Sequence, residues 1–134
     1  MLKKALAIFY FFTILSIVGC TSTVKPTLHG YYQSKDVSSY TIGISFQQDN
    51  NTFVKYIDNR EVDKGTYKML DDNQYLLKGE IKEDKIKLEE DNSFEISINK
   101  INNSKPIKIE FINKTPQYFK QQFDDIEEYK SLYN

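Results

Sequence analysis

The stretch that decides the fold is YTIGISFQ, Tyr40 to Gln47, in which apolar residues alternate with small or polar ones. Its large apolar residues stand at every second position and are Tyr40, Ile42, Ile44 and Phe46. A repeat of two residues is typical of a β-strand with one face toward a core and the other toward solvent, whereas a helix repeats about every 3.6 residues. We therefore predict a half-buried strand at 40–47.

Similar segments continue on both sides of this strand, separated by short polar breaks. The breaks are rich in Asp and Asn, which tolerate left-handed backbone and bond their own main chain. The segments between them predict further strands at 30–33, 52–57, 65–70, 74–80, 86–88, 94–98 and 107–111. About eight strands joined mostly by tight turns indicate a mainly β fold, an antiparallel meander forming a small barrel or sandwich.

The same alternation predicts which side chains fill the interior. The expected inward residues are Tyr40, Ile42, Ile44, Phe46, Tyr75, Leu77, Ile86, Leu88, Phe94, Ile96, Ile98, Ile107, Ile109 and Phe111. A barrel of about eight strands is only just wide enough for its own side chains or one small ligand. We therefore expect a packed core with at most a shallow cavity.

The C-terminal stretch changes its period. Pro116 suits a first helical turn, and apolar residues then recur at spacings of four, three and seven. These residues are Phe119, Phe123, Ile126 and Tyr133. The spacing predicts an amphipathic helix over 116–132 that could close one end of the barrel.

The N-terminal residues have the order of parts found in a secretory signal. Positive charge at Lys3 and Lys4 precedes an apolar run from Ala5 to Val18. As a helix, this run would reach about 21 Å, which is short of a hydrocarbon core of roughly 30 Å. We predict a cleaved signal peptide at 1–19 rather than a permanent membrane span.

The residues that end this segment resemble the lipobox of the bacterial lipoprotein family. They are Ile17, Val18, Gly19 and Cys20, the last being the only cysteine of the chain. The resemblance implies cleavage between Gly19 and Cys20, attachment of lipid to the Cys20 thiol and anchoring on the extracytoplasmic side of a membrane. Several acyl chains would make that attachment effectively permanent. Because Thr21 rather than Asp follows the cysteine, the resemblance implies sorting to the outer membrane in a bacterium with two membranes. In a bacterium with one membrane, the domain would lie on the outer face of that membrane.

The chain is therefore expected to consist of a signal peptide at 1–19, a lipidated cysteine and polar tether at 20–29, and a single β domain with a C-terminal helix at 30–134. Removing Lys3 and Lys4 with the signal leaves 16 basic and 19 acidic residues, a net charge of −3. A slightly acidic domain of this kind has no electrostatic attraction for nucleic acid, so we expect no nucleic-acid partner.

The mature region also resembles, at the level of pattern, the lipocalin-like small barrels of bacterial lipoproteins. The residues that carry the resemblance are Gly30 and Tyr31 at the opening, Phe46 at a strand end, Thr52 and Phe53 after an Asp-Asn turn, and the run from Gly65 to Tyr67. Tyr32 stands where the Gly-x-Trp signature of lipocalins has tryptophan. The resemblance implies a fold and no particular ligand.

Catalytic chemistry finds little support in the residues. The one histidine, His29, lies in the tether with no second histidine to complete a metal pair, and Cys20 is assigned to lipid. Phosphate-binding loops, EF-hands and zinc-protease motifs have no counterpart in the sequence. We therefore expect no enzyme activity, no cofactor and no metal.

The favoured hypothesis is a non-catalytic binding or interaction module held close to the membrane, with an unidentified envelope or extracellular protein as partner. One alternative is an immunity or inhibitor lipoprotein directed against a lytic enzyme or bacteriocin. Another is a lipocalin-like carrier of a small apolar ligand. For the carrier, the candidate lining residues are Phe46, Phe111, Phe119 and Phe123.

Overall fold

The computed structural model describes residues 25–134, which form one antiparallel sheet of eight strands nearly closed into a barrel. The prediction of a mainly β meander is therefore confirmed. The predicted signal peptide and the predicted lipidation site at Cys20 lie outside the described residues.

The strands follow the order of the sequence and are β1 (Gly30–Ser34), β2 (Ile42–Gln47), β3 (Thr52–Ile57), β4 (Arg60–Asp71), β5 (Gln74–Gly79), β6 (Glu83–Lys87), β7 (Phe94–Ile96) and β8 (Ile107–Asn113). Two short helices, α1 (Asn99–Asn102) and α2 (Ile126–Tyr133), complete the described chain. The sheet order is β6-β5-β4-β3-β2-β1-β8-β7. Within the described residues β6 and β7 approach each other without a ladder between them, which leaves one seam in the barrel wall.

The break predicted at 58–60 is a two-residue hairpin turn. Asp58 and Asn59 have φ values of 48° and 67°, and Ile57 pairs with Arg60 across them. Two successive left-handed residues match the twist of the flanking strands. This turn lets β4 begin at Arg60, earlier than the predicted strand at 65–70.

Aromatic side chains occupy the middle of the barrel. The ring centroids of Tyr32, Phe46 and Phe94 lie 5.2–6.0 Å apart, and all three residues are fully buried. Of the side chains expected to point inward, all but Tyr40 and Phe111 are buried, and these two pack half-buried against the core. The prediction that these residues fill the interior is confirmed.

Leu28 closes the end of the barrel at which the described chain begins. Its side chain is buried, its N–H donates to the Tyr75 hydroxyl at 3.4 Å, and its carbonyl accepts a bond from the Tyr67 hydroxyl at 3.5 Å. Leu28 falls within the predicted tether, but it packs as part of the barrel. We call this end the Leu28 end.

The helix predicted over 116–132 is wrong in extent, because α2 covers only Ile126–Tyr133. Residues 114–125, called the arm below, run without helix across the outer surface of β1, β2 and β3.

Contacts made by outward-facing side chains of the sheet explain why the arm is not helical. The Ser45 hydroxyl accepts the N–H of Gln117 at 2.9 Å and donates to its carbonyl, while the Tyr56 hydroxyl accepts the N–H of Phe119 at 3.4 Å. The Phe119 ring packs edge-on against Tyr56 at 4.9 Å. The sheet thus binds the backbone groups that a helix would use, and tertiary contacts override the local apolar spacing.

Candidate functional site

A lysine lies inside the barrel at the end opposite Leu28, which we call the helix end. Lys55 is on β3 at an inward position between Phe53 and Ile57, opposite Ile44 of β2, and is only 1% exposed. A lysine is almost never fully buried unless it is paired. Among residues 25–134, Lys55 is the only buried lysine.

Two side chains from distant parts of the sequence bind the Lys55 ammonium. Asp84 of β6 accepts from it, and so does the hydroxyl of Tyr133 at the end of α2. The Tyr133 hydroxyl in turn donates to Asp84 Oδ2 at 3.2 Å. The three groups form a closed network in which every buried polar atom has a partner.

The Tyr133 ring fills the mouth of the barrel between two cations. Lys55 Nζ lies 4.9 Å from the ring centroid and Lys82 Nζ lies 4.4 Å from it. Ammonium groups at such distances are attracted by the electron-rich face of an aromatic ring. We call the space that Tyr133 occupies the Tyr133 pocket.

Burial governs the protonation of these groups. Desolvation lowers the pKa of Lys55, and the neighbouring Asp84 carboxylate opposes that shift. Desolvation also raises the pKa of Tyr133 well above its usual value, with Asp84 adding to the effect. Tyr133 therefore stays a neutral phenol, able to accept from Lys55 and donate to Asp84 at once.

Asp63 on β4 shapes the turn that carries Lys82. Its carboxylate accepts the backbone N–H groups of Ile81 at 3.1 Å and of Lys82 at 3.4 Å. Gly79 makes room for it, since a Cβ there would lie 2.1 Å from Asp63 Oδ2. The β5–β6 turn is thus held so that Lys82 and Asp84 reach the mouth of the barrel.

Arg60 fastens α2 to the barrel. Its guanidinium makes two bonds to the Asp125 carboxylate, at 3.0 and 2.9 Å, and lies 4.0 Å from the Phe123 ring centroid and 4.5 Å from that of Tyr129. The hydrogen bonds from Arg60 hold the pKa of Asp125 below its usual value. The geometry is a planar bidentate pair with stacked rings, which arginine supports and lysine does not.

The four phenylalanines predicted to line a ligand site do not converge. Phe46 lies in the core, whereas Phe111 is half-buried beside Tyr32, at 5.4 Å between ring centroids. Phe119 and Phe123 lie on the outer surface because the arm is extended there. Two open clefts of about 590 and 530 Å³ lie beside the β6–β7 loop, are lined mostly by charged side chains and include none of the four.

His29 makes local contacts. Its Nδ1 lies 2.7 Å from the Thr27 carbonyl and its ring lies 5.5 Å from that of Phe111. Among residues 25–134 no group of three or more His, Cys, Asp or Glu side chains is arranged to hold a metal ion. No helix in this part of the chain is both long and apolar enough to cross a membrane.

Part of one edge of β4 has no partner strand among residues 25–134. The pairing of β4 with β3 ends at Thr66, whereas β4 continues to Asp71 beside β5. On this extension Met69 and Leu70 are 54% and 45% exposed. An unpaired edge that carries apolar side chains is suited to adding a strand from another protein.

No protein-family model, no curated protein and no solved structure matches this chain. The resemblances to lipoproteins and to lipocalin-like barrels therefore remain predictions.

Replacing Lys55 tests the buried network. Lys55→Met leaves the Asp84 carboxylate without its cation, so we expect the free energy of unfolding to fall by about 3 kcal/mol in urea denaturation at neutral pH. Lys85→Met, an exposed change on β6, should stay within about 0.5 kcal/mol of the wild type. The double variant Lys55→Met, Asp84→Leu should recover most of the loss; a double variant as unstable as the single one would contradict a charge-pairing role.

The Arg60–Asp125 pair should give stability a dependence on low pH. The pKa of Asp125 is lower in the folded protein than the usual 3.8. Its contribution to the free energy of unfolding is therefore complete above pH 3.8 and is lost as the pH falls through the folded pKa. Asp125→Asn should therefore melt below the wild type at neutral pH, and the difference in melting temperature should shrink as the pH is lowered below 3.8. Asp124→Asn is the control; a gap for Asp125→Asn that does not change with pH would refute the ion-pair account.

Proposed function

We propose that the chain is a lipid-anchored bacterial envelope protein whose barrel is a non-catalytic interaction module held close to the membrane surface. The observation that carries this proposal is the filled interior. Tyr32, Phe46 and Phe94 occupy the space in which a carrier would hold its ligand. Leu28 and Tyr133 close the two ends.

A filled interior favours an interaction module over a carrier. Small-molecule sites are concave and usually largely preformed, and a barrel of eight strands has space for one small ligand only if its own side chains leave it open. Here large aromatic side chains meet at the centre. The outer surface is then the part of the domain that is available to a partner.

The position of Leu28 limits how far the barrel could lie from a membrane. If Cys20 carries lipid, only the seven residues 21–27 connect it to a side chain fixed in the barrel. Seven extended residues span at most about 23 to 25 Å. The Leu28 end would therefore face the bilayer and the helix end would face away from it.

The free edge of β4 supports a protein as the partner. Its exposed residues, Met69 and Leu70, lie near the hairpin tip at Asp71, which is on the Leu28 end. A partner strand added there would satisfy unpaired backbone groups and cover apolar surface together. An envelope protein at the membrane surface is within reach of this edge.

The anchor is tested by changing Cys20. Cys20→Ser removes the thiol to which lipid would be attached, so we expect loss of palmitate labelling and release of the protein from carbonate-washed membranes. Thr21→Ser is a matched control that should keep both properties. A wild-type protein that takes up no label, or a Cys20→Ser protein that stays with the membranes, would refute the anchor.

The interaction module is tested against the carrier by thermal shift. Residues 21–134 are screened with fatty acids, haem, quinones and sterols, and we expect no saturable rise in melting temperature. A ligand at 100 times its dissociation constant would stabilise by about 2.7 kcal/mol, or very roughly 10 °C in a domain of this size. Saturable one-to-one binding that Phe46→Ala abolishes in a still folded protein would establish the carrier instead.

A further inference from the structure

The Tyr133 pocket is unusual because it places an ion pair at one end of a barrel whose core is mainly apolar. Lys55 and Asp84 face the pocket, and Lys82 stands at its rim. Replacing a buried ion pair by apolar residues of similar volume is often neutral or stabilising. Stability alone therefore does not account for a lysine at this inward position.

The polar and charged groups around the pocket match the shape and hydrogen-bonding groups of a phenol ring. The hydroxyl of Tyr133 accepts from the Lys55 ammonium and donates to the Asp84 carboxylate, while the ring faces Lys82 Nζ at 4.4 Å. A donor, an acceptor and a cation over the ring face together fit an aromatic ring that bears a hydroxyl. With a benzene ring alone, Lys55 and Asp84 would still bond to each other, but each would lose the hydrogen bond that it makes to the hydroxyl.

The group that fills the pocket is carried by a short helix whose other contacts lie at or near the surface. The helix α2 has eight residues, and the side chain of Asp125 makes no capping hydrogen bond at its start. Isolated helices of this length are marginal in water. Besides Tyr133, α2 is held by Arg60, by the Tyr129 hydroxyl, which donates to Asp58 at 3.2 Å, and by Lys100, which donates to the Ser131 carbonyl at 2.8 Å. Tyr129 and Leu132 also pack against the core, but they are only partly buried, so all of these contacts lie at or near the surface.

We propose that the Tyr133 pocket is a binding site for a phenolic group, and that α2 is a displaceable stopper whose own tyrosine occupies the site when no external phenol is present. The external group is either a free phenol or a tyrosine side chain of a partner protein. The inference uses only contacts within residues 53–133. It stands independently of the proposed membrane anchor and interaction role, and can fail without affecting them.

The first experiment vacates the pocket in the full chain with Tyr133→Gly. Saturable binding of p-cresol and of toluene is then compared by thermal shift and calorimetry. The two probes differ only in the hydroxyl, so we expect p-cresol to bind at least about tenfold more tightly, as a hydrogen bond to charged groups requires. Adding Lys55→Met and Asp84→Leu together to this variant should reduce the ratio to about one, because both the donor and the acceptor for the hydroxyl are lost. Equal affinity for the two probes, or no binding of p-cresol, would overturn the proposal.

N-acetyltyrosinamide, tested on the same variant, distinguishes the two sources of the phenol. Binding of both p-cresol and N-acetyltyrosinamide supports a partner's tyrosine as the occupant. Binding of p-cresol alone supports a free phenol.

The second experiment uses the wild-type protein and does not depend on how well Tyr133→Gly folds. Amide hydrogen exchange is measured in α2 with saturating p-cresol, with toluene and with neither. Displacement of the stopper should raise the exchange rate of residues 126–133 with p-cresol only, while the amides of β2 stay protected. Unchanged exchange in α2 would show that Tyr133 is a permanent part of the core and would overturn the stopper.

Discussion

The contact of the Tyr32 ring with Phe46 and Phe94 is the interaction on which the rest of the barrel depends. These rings come from the neighbouring strands β1 and β2 and from β7, the last strand of the sheet, so their packing joins the middle of the sheet to one of its edges. The Tyr32 hydroxyl also needs a partner once it is buried, and it donates to Asn92 Oδ1 at 2.7 Å. One buried aromatic residue therefore fixes both the centre of the core and the β6–β7 loop.

A packed barrel must also close its two ends, and this chain closes them by different means. Leu28 closes the first end with an apolar side chain supported by tyrosine hydroxyls. At the helix end, Tyr133 closes the mouth over the pair formed by Lys55 and Asp84. Only the second closure requires charges to be desolvated, and there the closing residue comes from a helix rather than from the segment directly before β1.

The sequence predicts the parts of this structure that depend on neighbouring residues. Alternation at 40–47 places Ile44 and Phe46 correctly in the core because the strand period is local. The helix prediction at 116–132 fails at its start because bonds from Ser45 and Tyr56 to the arm depend on residues more than 60 positions away. The sequence alone shows that Lys55 stands between two apolar residues that point inward. It does not show that Asp84 and Tyr133 are its partners, because their positions depend on the register of strands β3 to β6 and on the docking of α2.

The polar groups of the helix end depend on one another in a definite order. The absence of a side chain at Gly79 admits the Asp63 carboxylate, which would otherwise lie 2.1 Å from a Cβ. Asp63 binds the N–H of Lys82 and so sets the start of β6, where Asp84 meets Lys55. The Tyr133 hydroxyl then bonds to both members of that pair. The hydrogen bonds that hold Tyr133 at the mouth of the barrel are thus linked to a glycine more than 50 residues earlier in the chain.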